Sequence, residues 1–264
     1  MLRNLLKKSL MVSAVILTVG PVILVMLQSI SFRWKWPDII PQQFGLRAWQ
    51  GVFRDPNLLQ ALTYSMIITG AVVMLTMIIS MPAARALAFE QFKGKTVIET
   101  VLMLPLLIPL LFIVMGIHLT MIRLNLADTI IGVVIVHLLP AVPYAIRILR
   151  TGYERIGTRW YEQATVLGAS RFKQFWTITV PMLMPSIRSA IVLTVVITLS
   201  QYALTAIIGG GIITTLPMIY YPYFNSADQS IMAAFTLLFA VLPILFWFGI
   251  ELVCKSITTM IRQP

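Results

Sequence analysis

The sequence predicts an all-α integral membrane protein with six transmembrane helices and both termini in the cytoplasm. Three observations lead there: 59% of residues are hydrophobic and only 11% charged, six apolar runs approach twenty residues or more, and Lys and Arg are unevenly distributed along the chain. A soluble domain is nearer about 45–50% apolar. A helix needs about 20 apolar residues to cross a hydrocarbon core of about 30 Å. The six runs fall near 10–30, 62–87, 97–121, 129–149, 183–208 and 230–253, and the 264 residues are read as a single transmembrane domain.

The first run, Leu10–Ile30, follows a basic start of Arg3, Lys7 and Lys8. It is longer than the usual core of a cleaved signal and has no small-x-small site after it, so a retained helix is expected. Ser31 to Gln60 then forms the longest outer segment. Trp34, Trp36 and Trp49 are spaced there as interfacial anchors, and Pro37 and Pro41 break the chain before a short helix at Leu46–Phe53.

After the second run, Phe89 to Thr96 is a short polar turn. The third run carries Pro105 and Pro109. Arg123 to Asp128 is a tight outer turn, with Asp128 placed to cap the helix that begins at Thr129. Gly209 to Pro217 and Tyr220 to Asp228 link the fifth run to the sixth. Cys254, the single cysteine, stands at the inner end of the last run as a small apolar filler.

With the amino terminus inside, fifteen Lys and Arg fall in cytoplasmic segments and five (Arg33, Lys35, Arg47, Arg54 and Arg123) outside. The net charge of +11 then follows from topology and anionic headgroups, without a nucleic-acid partner. No catalytic, cofactor or metal site is expected. His118 and His137 are the only histidines, in no metal-ligand spacing, and the nine carboxylates are scattered. An integral-membrane enzyme is the alternative from another class, and it would need clustered Asp, His or Ser. A channel or secondary transporter is the other; an inverted repeat would mark the latter, and none is visible.

The loop of about 150–181 is the one long cytoplasmic segment. Thr158 is placed to cap a first helix on which Trp160, Ala164 and Leu167 share a face, and Gly168 is placed to end it. Ser170 can cap a second helix with Phe172, Phe175, Trp176 and Thr179 on one face, and Pro181 and Pro185 mark a turn into the next span. From pattern alone two readings stand. The pair forms a knob that fills a partner's groove, or it lies on the membrane as an amphipathic hairpin.

The segment from Glu162 to Pro181, EQATVLGASRFKQFWTITVP, resembles the cytoplasmic "EAA" loop of bacterial ABC-importer permeases, E-A-A-x₃-G-x₉-I-x-L-P. Glu162, Ala164, Gly168, Ile178 and Pro181 match, while Gln163 and Val180 depart mildly. The resemblance implies a type I importer permease fold in the bacterial inner membrane. It implies two ABC ATPase subunits that bind ATP and Mg, a second permease chain, identical or related, and a solute-binding protein. The coupling residues it implies are Tyr161, Glu162, Gln163, Ala164, Leu167, Gly168, Ile178 and Pro181.

Gln201 to Thr205 and the Gly209–Pro217 connection look most like spermidine/putrescine-type permeases. That points to a polyamine, and relatives in the same family imply ferric iron, thiamine, sulfate or molybdate, or aminophosphonate as the other candidates. Tyr64, Gln201, Tyr202 and Thr205 are the candidate pathway-lining residues, because polar side chains inside spans are functional candidates by default. No carboxylate lies deep in a span, so any polyamine selectivity is expected to rest with the binding protein.

Overall fold

A computed structural model describes residues 2–32, 34, 38–225 and 228–262. The predicted roles of Arg33, Lys35, Trp36 and Pro37 lie outside the described residues, as do those of the Arg3, Cys254 and Arg262 side chains. Among the described residues the regular secondary structure is helical, joined by turns and loops, with one isolated bridge between Ser31 and Phe44. Among the described residues, five helices are long and apolar enough to cross a bilayer, and a bent pair brings the number to six where it is counted as one span.

The chain divides into two compact units. One comprises Met1–Leu59 with Ile219–Leu242. Its long apolar helix α1 (Leu2–Ser29) is followed by the short α2 (Arg47–Phe53), close to the expected Leu46–Phe53. Trp34 donates its indole N–H to Asp38 O at 2.8 Å, and Trp49 stacks on Phe53. Arg47 pairs with Asp228, and Ser230 donates to Ser31 O at 2.7 Å.

The other unit comprises Gln60–Met218 with Pro243–Pro264. It contains most of α3 (Leu58–Phe89), then α4 (Lys95–Leu107), α5 (Leu110–Arg123), α6 (Ile130–Ile156), α7 (Arg159–Val166), α8 (Arg171–Gln174), α9 (Val180–Leu199), α10 (Tyr202–Ile208) and the start of α11 (Leu216–Tyr220), whose last residues belong to the first unit. The last helix, α12 (Gln229–Arg262), contributes residues to both units. At its centre is α6, which buries residues on several faces. Val133 and Val136 join Ile68, Val114, Leu204 and Ile208 in one cluster, while Ile146, Leu149 and Tyr153 join Ala84, Leu87 and Leu183 in another.

Two expected spans are interrupted. The third breaks between α4 and α5 with a bend of 101°. Proline disfavours helical backbone at the residue before it, and Ile108, preceding Pro109, is extended at φ −91°, ψ 133°. The fifth ends at Leu199, and Gln201 (φ −83°, ψ 86°) separates it from α10.

The expected cap at Asp128 is also displaced by one residue. Asp128 is left-handed at φ 61°, a conformation that cannot serve as an N-cap. Thr129 is extended instead, and its hydroxyl accepts from Gly132 N at 3.0 Å. The Asp128 carboxylate lies so close to Gly210 that any Cβ there would collide with it.

Near its cytoplasm-predicted end, α6 meets α9 at Gly152. A Cβ at this position would lie 2.4 Å from Ser186 Oγ and 2.6 Å from Leu183 Cδ1, so only glycine lets the two helices approach this closely. Gly152→Val should cost about 1–3 kcal/mol through overpacking, read as a lower thermal midpoint of the purified chain. An unchanged midpoint would show that α6 and α9 do not touch there.

Candidate functional site

The predicted two-helix knob forms, with its corner where the sequence placed it. Gly168 has φ 75°, Ala169 N donates to Ala164 O at 2.9 Å and Gly168 N donates to Thr165 O at 3.0 Å. This pair of bonds is a Schellman stop, which requires a left-handed residue at the corner. Ser170 caps α8 as expected, its hydroxyl accepting from Lys173 N at 3.3 Å. Thr158 does not cap α7 with its side chain. Its backbone is already helical (φ −82°, ψ −25°), and its carbonyl rather than its hydroxyl receives Tyr161 N and Glu162 N.

The expected turn at Pro181 and Pro185 is absent. The chain continues from α8 through a single π-helical turn, Phe175–Thr179, straight into α9. Val180 N donates to Phe175 O, a bond over five residues instead of four. Such a π turn shifts the hydrogen-bond register by one residue. It occurs just before Pro181, which has no N–H to donate, so the helix passes the proline without breaking. Ile178 and Pro181 are half-buried on this continuous helix.

One residue ties the knob to the rest of its unit. Tyr161 turns inward and is buried, although the resemblance groups it with the coupling residues. Its hydroxyl lies 3.1 Å from Thr179 Oγ1. Its ring meets Phe89 edge-on at 5.6 Å, and the Arg85 guanidinium sits 5.1 Å above it. Phe89 in turn contacts Tyr153 of α6 edge-on at 5.7 Å. Across the corner, Gln174 Nε2 donates to Thr165 Oγ1 at 3.0 Å and to Ala169 O at 2.9 Å. Arg85, Phe89, Tyr161, Thr165, Ala169 and Gln174 border a groove of about 980 Å³ that also includes Glu162 and Arg171.

Glu162, Gln163, Leu167 and Gly168 are exposed, and Ala164 is half-buried. Val166 and Leu167 at the tip are 88% and 86% exposed, and Phe172 is 75% exposed. The knob is therefore held rigidly from inside and presents apolar side chains outward. Sequence reasoning missed Arg85, Phe89 and Gln174. The first two lie on α3, far from the loop in sequence, and only their position at the end of an apolar run hints at them.

The candidate pathway residues divide. Thr205 is fully buried. Its hydroxyl donates to Gln201 O at 2.9 Å and lies 3.0 Å from His137 Nε2. Because that hydroxyl proton is already used, His137 must donate from Nε2, and its buried, unpartnered Nδ1 is then the acceptor nitrogen. Thr205 thus joins α10 to α6 inside the protein and does not line an open surface. Gln201 and Tyr202 are half-buried at the break between α9 and α10, and Tyr64 is half-buried against the α5–α6–α10 cluster. Among the described residues, no group of three or more His, Cys, Asp or Glu is arranged to hold a metal ion.

Comparison with known proteins bears on the fold and on the loop together. The molybdate/tungstate transport system permease protein WtpB of Pyrococcus abyssi is 29% identical over 140 residues, 53% of this chain and 56% of that protein. Its counterpart from Thermococcus kodakarensis is 30% identical over 141 residues, with the same coverage. The chain thus spans little more than half the length of these relatives. The molybdenum permease YvgM of Bacillus subtilis, described as putative, is 29% identical over 61% of this chain and 78% of its own length.

A crystal structure of a bacterial ABC transporter that imports the acidic polysaccharide alginate superposes with a TM-score of 0.68 at 15% identity, covering 95% of both chains. The shared fold holds at that level. Residues 80–258, which contain the whole knob, match the family described as binding-protein-dependent transport system inner membrane component. That match covers about two thirds of the sequence, and the chain belongs to this family of inner membrane transport components.

Proposed function

We propose that the chain is the permease subunit of an ATP-driven, binding-protein-dependent importer, and that α7 and its glycine corner couple it to a separate ATPase. The observation that carries this reading is the knob itself, with apolar Val166 and Leu167 at its tip and buried Tyr161 at its root. Exposed apolar side chains on a rigid support suit a partner's groove. A hairpin lying on the membrane would not need the inward Tyr161–Arg85–Phe89 anchor, so the docking alternative is favoured.

The tip faces the cytoplasm in this reading, with both termini on the same side. A second permease chain completes the pathway, and a solute-binding protein delivers cargo from outside. The chain performs no chemistry. It shifts between two conformations biased by nucleotide on one side and loaded binding protein on the other. The breaks at Ile108–Pro109 and Ser200–Gln201 suit such a role, because non-helical backbone at membrane depth belongs where protein covers it or water lines a path. Tyr64, Gln201 and Tyr202 are assigned to that path, whereas Thr205 is assigned to holding His137.

For cargo, an oxyanion of the molybdate or sulfate kind is favoured over a polyamine. Relatives include a sulfate permease of Synechococcus elongatus alongside the molybdate/tungstate proteins. A polycation in the membrane would also call for buried carboxylates. The carboxylates on the membrane-spanning helices α4 and α12, Glu99 and Glu251, are engaged with Arg150 and Arg188. Uptake of labelled molybdate but not spermidine by cells expressing the complete system would match this assignment, and the opposite preference would refute it.

Two sets of variants test the coupling role. Leu167→Asp should weaken ATPase co-purification by about 2 kcal/mol or more, as loss of a buried interface anchor does, while leaving the chain inserted. Glu162→Arg and Gly168→Pro should likewise abolish uptake without loss of insertion, since proline cannot adopt φ 75°. Full transport by all three would sink the assignment.

Tyr161 separates anchoring from docking. Tyr161→Phe gives up one hydrogen bond, about 1 kcal/mol, whereas Tyr161→Ala removes the ring from Phe89 and Arg85, about 3–5 kcal/mol. Proteolysis at Arg159 and Arg171 should therefore speed up markedly in the alanine variant and little in the phenylalanine one. Equal cleavage in both would show that the ring does not anchor the knob.

A further inference from the structure

A pocket of about 390 Å³ lies between the C-terminal part of α6 and the N-terminal part of α9, apart from the knob groove. It is lined by Arg147, Thr151 and Arg155 on α6 and by Pro185, Ser186 and Ser189 on α9, with Ile148 beside them. The three α6 residues recur every four positions and so share one face. Arg147 and Arg155 stand about 12 Å apart along the axis at about 1.5 Å per residue.

The other arginines on these two helices are neutralised. Arg150 pairs with Glu99 at 3.0 Å and Glu154 at 2.7 Å. Arg188 lies 3.3 Å from Glu251, a charge contact that is not also a hydrogen bond. Arg147 and Arg155 are exposed and, among the described residues, form no ion pair. Thr151 and Ser189 donate to their own helix carbonyls, Arg147 O and Pro185 O, at 3.0 Å each. A hydroxyl can rotate from such a bond to an anion's oxygen. Two uncompensated guanidinium groups beside three hydroxyls form a receptor for a phosphate-type anion.

We infer that this pocket holds the phosphate of an anionic phospholipid headgroup. The inference rests on the reading that α6 spans the bilayer with this end at the cytoplasmic surface. There the apolar run 129–149 gives way to charge, and basic pockets between membrane helices at that surface collect anionic headgroups. Ile148 and Pro185 line the same pocket, which gives an acyl chain apolar surface to leave along. A free anion would gain nothing from that apolar edge.

The test is native mass spectrometry of the chain purified together with its ATPase, with phosphatidylglycerol titrated against a phosphatidylcholine background. The wild type should retain phosphatidylglycerol. The double variant Arg147→Gln/Arg155→Gln should bind it roughly thirty-fold more weakly, from a contribution of roughly five- to six-fold per arginine near a headgroup. Both side chains are exposed, so the variant should fold, which an unchanged elution volume verifies. Equal retention by wild type and variant overturns the inference. Displacement of the lipid by millimolar inorganic phosphate would show a free-anion site and overturn the lipid assignment. Co-purifying ATPase without retained phosphatidylglycerol would overturn the headgroup site while leaving the permease reading intact, whereas loss of the ATPase from the wild type would count against the reading itself.

Discussion

At Gly152 α6 has no side chain to hold α9 away, and the larger unit is organised around the contact that results. A helix inside a bilayer gains little from burying leucine against leucine, because lipid tails are equally apolar. Close backbone approach and interhelical polar bonds must supply the cohesion. Both are concentrated on α6. Its first turn is capped by Thr129 and stands next to Asp128, whose amide donates to Ile208 O of α10 at 2.7 Å. Its middle carries His137 to Thr205 of α10, and its end carries Arg150 to Glu99 of α4 and Tyr153 to Phe89 of α3. α6 therefore joins four neighbours, and α7 with its corner follows directly from its last turn.

Prolines decide where that scaffold is continuous and where it yields. Pro109 forces Ile108 out of the helix and turns the chain by 101°. Pro140 and Pro143 sit inside α6 without breaking it, as happens in membranes where neighbouring helices cover the freed carbonyls. Pro181 is passed by means of the π turn before it. The outcome at a proline thus depends on what packs around it, and the two interrupted spans are places where the chain is not stiffened by a full helical ladder.

Apolar run length made most of the helices legible, and the Glu162–Pro181 spacing made the knob legible. Gly168 was readable because a left-handed corner between two helical patterns has few solutions, and Ser170 because a serine before a basic helical stretch is a strong cap. The breaks were not readable in the same way, since Pro105, Pro109, Pro140 and Pro143 look alike in sequence and only Pro109 ends a helix. Asp128 is not the cap because its backbone is left-handed, with its amide bonded to Ile208 O and its carboxylate beside Gly210, partners eighty residues on that no local pattern reveals. Tyr161, which the resemblance groups with the coupling residues, points inward. Its partners Arg85 and Phe89 belong to another helix, and no local pattern reveals that pairing.

That inward tyrosine bears on how a small movement at the knob could reach the membrane. A partner pushing on Val166 and Leu167 moves α7 as a body only if the corner does not flex, and Gln174 bridging Thr165 and Ala169 stiffens it. The push then has two exits. One runs through Tyr161 to Phe89 and Arg85 at the end of α3, and the other runs through Thr179 into α9, because α8, the π turn and α9 form one uninterrupted helix. A turn at Pro181, which the sequence predicts, would decouple the knob from α9. Its absence leaves α9 continuous from the knob to Leu199, and the break at Ser200–Gln201 is where that helix ends and α10, held to α6, begins. In the proposed importer, the tip and the break are thus linked through the Gly168 corner, the Tyr161–Thr179 contact and the continuous α8–α9 helix.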